Sequence, residues 1–292
     1  MSRTVTVLEA GLLTTVQDAG RPGRAALGVG RSGACDRAAH RLANRLVGNP
    51  EDAAVLEVTF GGLVLRADHD VLVATAGARC PGGTAHHAPV WLRAGEALRL
   101  GTPDAGLRTY VAVRGGVAVE PVLGSRSTDV LAGIGPAPLS PGDVLPVGGC
   151  PTSGAPGVDV APVPDPASGD VAVRVLPGPR RDWFTDDAWA LLTGRPYAVN
   201  QDSNRVGVRL DGEPLQRARD GELPSEGMVR GALQVPPAGT PVLFLADHPV
   251  TGGYPVIGYV VDQDVDRCAQ LRPGQRVRFT WLRGGAGAPA GG

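Results

Sequence analysis

The chain has 292 residues and a formal net charge of −1, with 42% hydrophobic and 4% aromatic residues; this composition describes a soluble globular chain of one large or two medium domains and excludes a disordered or membrane-embedded one. Its 28 basic residues face 29 acidic ones, so no large field draws nucleic acid or an anionic membrane. Every basic residue is arginine, which excludes a Schiff-base lysine, a Walker A lysine and a biotinyl-lysine on these residues.

The N-terminal "MSRTVTVLEAG" has no apolar core with a cleavage site, and no window of 18 apolar residues follows, so a cytoplasmic location is expected. Short Val- and Leu-rich runs bounded by Gly, Pro or Asp start here and recur along the chain, among them "LEVTFGG", "DVLVATAG", "LRTYVAVRGG", "DVAVRVLPG", "TPVLFLAD" and "PVIGYVVD". They predict β-structure throughout. Gly28, Gly30 and Gly33 spell GxGxxG, but the preceding "AGRPGRAAL" has glycines, a proline and arginines where a buried strand should be. A dinucleotide cradle is therefore not expected. Residues 37–47 predict the first helix, since Ala39, Leu42, Ala43 and Leu46 recur at helical spacing, with Asp36 as N-cap and Gly48-Asn49-Pro50 as the stop. His86 and His87 are adjacent; on a strand they point to opposite faces, and no shared metal is expected.

"LRAGEALRL" (92–100) recurs as "LRPGQRVRF" (271–279), which suggests two related halves. The stretch 150–169, "CPTSGAPGVDVAPVPDPASG", has too little apolar content for a core element and reads as a linker. A second helix is predicted over "TDDAWALLTG", with Thr185 as N-cap and Gly194 as C-cap. Two helices cannot cover a parallel sheet, so antiparallel barrels or sandwiches are expected. The layout is a β domain over 1–149, the linker, a second β domain over 170–284 and a disordered tail at 285–292. Cys35, Cys80, Cys150 and Cys268 are too widely spaced for a compact framework and read as free thiols.

Polar loops supply the candidate chemistry. Gln17, Asp18, Arg21, Ser32, Gly33 and Asp36 surround the first helix N-terminus, whose amides can receive a carboxylate or phosphate; the same residues can instead cap the helix and pair locally. Arg205, beside Ser203, can grip a carboxylate through two parallel hydrogen bonds. Ser225, Glu226 and Gln234 form a further polar segment among glycines. The loop after "TPVLFL" gathers Asp247, Thr251, Gly252, Gly253 and Tyr254, with Asp247 as candidate base or anchor and Tyr254 as proton donor. A plain turn is the competing reading for each of these loops. HExxH, CxxC, GxSxG and SxxK do not occur, so neither metal catalysis nor a serine-hydrolase triad is expected.

"LLTTVQDAGRPG", "LGVGRSGACDRAAHRLANRLVGN", "VLGSRSTD", "VLPGPRRDWFT", "SNRVGVRLDG", "SEGMVRGALQVPPAGTPVLFLAD" and "TGGYPVIG" together resemble the family of the 5-oxoprolinase C subunit. That family is also described as allophanate hydrolase subunit 2-like or biotin-dependent carboxyltransferase-like. The resemblance implies a mainly β fold of two cyclophilin-like β-barrel domains with a few short helices. It also implies two partners, a B-like protein of related fold and a separate A-like protein. Together the three would hydrolyse the small molecule 5-oxoproline to L-glutamate at the expense of ATP, through a phosphorylated lactam carbonyl that water opens.

Carried onto this chain, the resemblance assigns catalytic roles to Asp247, Tyr254 and Glu226. Substrate binding falls to Gln17, Asp18, Arg21, Ser32, Gly33 and Asp36 in the first half. In the second half it falls to Ser203, Arg205, Ser225, Gln234, Thr251, Gly252 and Gly253. No metal is implied. Relatives imply two alternatives: a carboxyltransferase component acting on urea-like amides, with biotin on another chain, and a regulatory binder that antagonises a kinase inhibitor. The chain departs from the family pattern at Arg24, Gly30, Cys35 and Pro249-Val250, the last beside Asp247.

Overall fold

A computed structural model describes residues 3–282, except 83–85, 153, 155–156, 158 and 222; the tail at 285–292 lies outside the described residues. The chain divides into two compact units, Met1–Arg24 with Arg31–Pro166, and Ala25–Gly30 with Ala167–Gly292. The later of these divisions falls inside the Pro-rich stretch 150–169.

The first unit contains β1 (Thr4–Ala10), β2 (Leu13–Gln17), α1 (Arg37–Leu46), β3 (Val55–Thr59), β4 (Leu63–Ala67), β5 (Val71–Gly77), β6 (Val90–Leu92), β7 (Ala97–Arg99), β8 (Arg108–Val113) and β9 (Val144–Pro146). Its strands form two antiparallel sheets, four-stranded in the order β7-β4-β1-β9 and five-stranded in the order β2-β3-β8-β5-β6. Alternation along a strand sends neighbouring side chains to opposite faces. On β5, Val71 and Val73 join Val5, Leu56 and Leu65 in one core, while Leu72, Ala74 and Ala76 meet Ala39, Leu42 and Leu46 of α1 in another. The five-stranded sheet is thus covered on both faces, which is why all seven residues of β5 are buried and why the sequence there runs apolar instead of alternating. Truncating Leu42 to Ala would cost about 2–5 kcal/mol by the usual cavity penalty.

α1 starts where the sequence places it, with the Asp36 carboxylate accepting from Ala39 N at 2.9 Å. Its end is tied to the sheet by Asn49, which donates to the Val113 carbonyl and accepts from Gly115 N.

The second unit contains β10 (Val171–Pro177), α2 (Asp186–Gly194), β11 (Tyr197–Val199), β12 (Gly207–Asp211), β13 (Glu226–Gly227), β14 (Ala232–Gln234), β15 (Val242–Phe244), β16 (Thr251–Gly252), β17 (Val256–Val260), α3 (Asp262–Cys268) and β18 (Arg276–Trp281). Seven strands close a barrel in the order β10-β17-β14-β15-β12-β11-β18, and β18 runs parallel to β10. Thr185 caps α2 by accepting from Ala188 N, and Gly194, the expected C-cap, is the last helical residue, with Arg195 as the C-cap. Trp189 of α2 stacks on Trp281 of β18 at 4.8 Å between centroids.

α3 is a helix that the sequence pattern does not announce. Its Asp264 carboxylate accepts from the Arg174 backbone and from two guanidinium nitrogens of that residue, at 2.8–2.9 Å. Burial works against this carboxylate's charge, yet these bonds hold Asp264 below the usual carboxyl range.

The repeated nonapeptide occupies the same kind of corner in each unit. Gly95 (φ 89) donates to the Ala67 carbonyl and Ala67 N to the Glu96 carbonyl; Gly274 (φ 82) donates to the Val199 carbonyl and Val199 N to the Gln275 carbonyl. The Glu96 side chain accepts from Arg93 N and the Gln275 side chain from Arg272 N. Glycine adopts such positive φ without the strain that a Cβ would bring.

Candidate functional site

In the first unit β2 delivers Gln17 and Asp18 into the polar loop, and the segment 125–128 receives them. Asp18 is buried and accepts from Gly20 N, Ser125 Oγ, Ser127 Oγ and Arg126 N, all within 2.8 Å. Gln17 donates to Thr15 Oγ1 and to the Thr128 carbonyl, and Ser32 Oγ donates to the same carbonyl. Ser32 stands in the left-handed region at φ 55, and Gly33 follows at φ 93. A Cβ on Gly33 would lie 2.9 Å from Gly20 N, so glycine is required there on both counts.

The loop amides expected to cradle an anion are engaged within the protein. Ala34 N donates to the Asp18 carbonyl, Cys35 N to Glu57 Oε2, and Asp36 N to the Tyr110 hydroxyl. Tyr110 in turn donates to Glu57 Oε2 at 2.7 Å, and Arg108 lies 3.5 Å from that carboxylate. Burial first, and the neighbouring Glu57 charge second, push the Tyr110 hydroxyl far above its ordinary range, so it remains a donor. Asp36 serves as the helix cap. Sequence reasoning missed Tyr110, Arg108, Ser125 and Ser127 as members of this cluster.

Arg21 is different in kind. It is 1% exposed, its Nη2 donates to the Ser127 carbonyl and its Nε to the Val122 carbonyl at 3.4 Å. Among the described residues no acidic group pairs with it, and Nη1 is buried without a hydrogen-bond partner. Gln17 Oε1 is likewise buried and unpartnered. A buried guanidinium with no counter-charge and a spare donor is a fit for an anionic oxygen. Beside Asp18 a cavity of about 270 Å³ is bordered by Arg31, Arg37, His40, Arg41 and Glu51. Burial pushes His40 below its ordinary value.

In the second unit the predicted residues fall into a pin and a ribbon. Arg205 and Asp247 are 1% and 0% exposed in their side chains and join through two bonds, Nε to Oδ2 at 2.9 Å and Nη2 to Oδ1 at 3.0 Å. Asp247 N also donates to the Arg205 carbonyl. The guanidinium expected to grip a substrate carboxylate thus grips Asp247, and the candidate base is its buried ionic partner. Ser203 Oγ accepts from Arg209 N at 3.0 Å and shapes a turn.

The ribbon is the two-stranded pairing of β13 with β16, Glu226 opposite Gly252. It gathers Ser225, Glu226, Thr251, Gly252, Gly253 and Tyr254, with Gln234 Nε2 donating to the Tyr254 carbonyl at 3.2 Å. A Cβ on Gly252 would lie 2.6 Å from Gln234 Nε2, so that glycine admits the amide. Arg180 pairs with the partly exposed Glu226, and Arg217 lies over the Tyr254 ring at 5.7 Å. Arg180 lies in the polar run "GPRRDW", but nothing local marks it as the partner of a residue 46 positions away.

A family model described as carboxyltransferase domain, subdomain A and B, matches residues 27–281. The chain belongs to this family. As a carboxyltransferase-domain protein it is 38% identical over 282 residues to the C subunit of 5-oxoprolinase from Escherichia coli K12, covering 94% of this chain and 89% of that relative. It is similar to the solved chain of TTHA0988, with a TM-score of 0.84 at 37% identity, covering 96% of this chain and 55% of that one. It is also similar to the urea amidolyase of Kluyveromyces lactis, with a TM-score of 0.89 at 30% identity, covering 97% of this chain and 19% of that one. This carboxyltransferase-domain chain thus spans about half of the first solved chain and a fifth of the second. No helix among the described residues is long and apolar enough to cross a membrane.

Proposed function

We propose that this carboxyltransferase-domain chain is the C subunit of a cytoplasmic, ATP-dependent 5-oxoprolinase that opens 5-oxoproline to L-glutamate with A-like and B-like partner proteins. The near end-to-end match to the E. coli relative carries this reading. The chain has no P-loop and no lysine, so nucleotide phosphates are handled by the partner proteins in this scheme. Within the first unit Arg21 Nη1 supplies the donor for the lactam carboxylate, and Gln17 Oε1 the acceptor for a ligand N–H. Within the second, the ribbon carries the partly exposed groups suited to proton transfer, Glu226 and Tyr254, while Asp247 acts through Arg205 as a positioning residue.

The test is glutamate release from 5-oxoproline by this chain co-expressed with the A-like and B-like proteins, with and without ATP, each component omitted in turn. Release that needs ATP and this chain supports the reading, and Arg21→Met should then raise KM by tenfold or more, on the order of 1.4 kcal/mol of binding. The structural likeness to urea amidolyase favours a second reading, carboxyl transfer to a urea-like amide. No glutamate from an assembled complex, with carboxyl transfer from carboxybiotin instead, would establish that alternative. Assembly without either activity would point to a regulatory binder.

A further inference from the structure

His86 and His87 do not diverge as an extended strand would require. His87 has φ 54, a left-handed conformation, and the two rings stack with centroids 3.9 Å apart and planes 28° open. Asp165, which follows them by 79 and 78 positions, comes to the same place, its Oδ1 2.8 Å from His86 Nε2. One donor atom from each of the three residues lies within 4.8 Å of the others. We propose that His86, His87 and Asp165 bind a divalent transition-metal ion of the Zn2+ class, which fastens residues 159–166 to the rest of the first unit.

The donor set is two imidazoles and one carboxylate, which suits Zn2+, Co2+ or Ni2+ over the all-oxygen preference of Mg2+ and Ca2+. Bonds of about 2.0–2.2 Å put neighbouring donors about 3.3 Å apart in a tetrahedral site. The existing His86 to Asp165 spacing is close to that edge. The widest pair closes by about 1.5 Å as the ring planes open further, a movement that Asp165, 42% exposed in its side chain, is free to follow.

The surroundings are those of a ligand set. The His86 side chain is only 6% exposed, with its Nε2 turned toward Asp165. Backbone bonds hold both strands of the site: His87 N to the Thr75 carbonyl, and Ala161 N to the His87 carbonyl. Arg79, 67% exposed and 3.7 Å from Asp165, is the cation that the metal would displace.

The experiment uses the full-length chain, freed of tags, carrying Cys150→Ser to remove the exposed thiol. Co2+ is titrated by visible absorption and displaced with Zn2+, and thermal unfolding is followed in parallel. The expected result is one saturable equivalent per chain, displaced by Zn2+, with Zn2+ raising the melting temperature. Asp165→Asn, at an exposed position that folding tolerates, should weaken binding at least tenfold and abolish the thermal shift, and His86→Gln should do the same. Lack of saturable Co2+ binding, or binding unchanged in both variants, would overturn the proposal.

Discussion

Each unit contains a fully buried arginine at its polar loop, and the two are used in opposite ways. Arg205 of the second unit meets Asp247 through two bonds; Arg21 of the first meets carbonyl oxygens and keeps Nη1 unpartnered. Burying a charge without its counter-ion is costly and persists only when something else compensates it. The contrast sets a buried arginine held by a carboxylate against one that keeps a donor unused. Burial alone does not separate them; the partner does.

The most severe test of this contrast is Asp247→Ala, which removes one side of a fully buried ion pair and should cost about 3–5 kcal/mol in denaturant unfolding. Arg21→Met removes no ion pair and should cost less than about 2 kcal/mol; equal losses at the two positions would break the comparison. The repeated corners are expected to respond alike, since they share the same bonds. Gly95→Ala and Gly274→Ala should each lose about 1–2 kcal/mol, the strain of a side chain at positive φ, and a disparity would show that the two corners are not equivalent.

Glu226→Gln touches a partly exposed pair with Arg180 and should shift stability by less than about 1 kcal/mol, while reducing turnover of the assembled complex. The smallest effect is pH dependence in the first unit. Burial lowers the pKa of His40 in the folded state, although the Ala53 carbonyl, Asp18 and Glu57 favour its charge. Its unfolded form takes up a proton near 6.5, so its stabilisation is complete above that value and is lost as pH falls through it toward the lower folded-state value. Melting temperature between about pH 7.5 and 5.5 should fall less steeply in His40→Gln than in the wild type, across the ordinary imidazole range.

What was legible in the sequence followed local physics. α1 and α2 could be read because Asp36 and Thr185 are side-chain caps and the apolar spacing of α1 is regular. α3 was hidden because its N-cap is Val261, with no side-chain cap, and "DQDVDRC" shows no apolar stripe. The mainly β character was plain in the Val-rich runs, and the polar loops that hold Arg21, Arg205 and Glu226 were marked in advance. Their partners were not. Ser127 lies 109 positions from Asp18, Asp247 lies 42 from Arg205, and Asp165 lies 79 from His86; pairings over such distances are set by topology, which no local pattern encodes. The left-handed turn at His87 was equally invisible, because the residue types that most often signal positive φ, glycine above all, do not occupy it.

The parallel pairing of β10 with β18 joins the first and last strands of the second unit. During synthesis, therefore, the barrel has no closing stave until Trp281 has left the ribosome, whereas the β1 to β9 sheets of the first unit are available for folding more than a hundred residues earlier. The nascent second unit waits as an open sheet whose edges, Val171–Val175 among them, are unpaired and prone to foreign strands. Closure of the barrel is thus timed by the arrival of β18, and loss of that strand would leave a sheet with two exposed edges in place of a barrel.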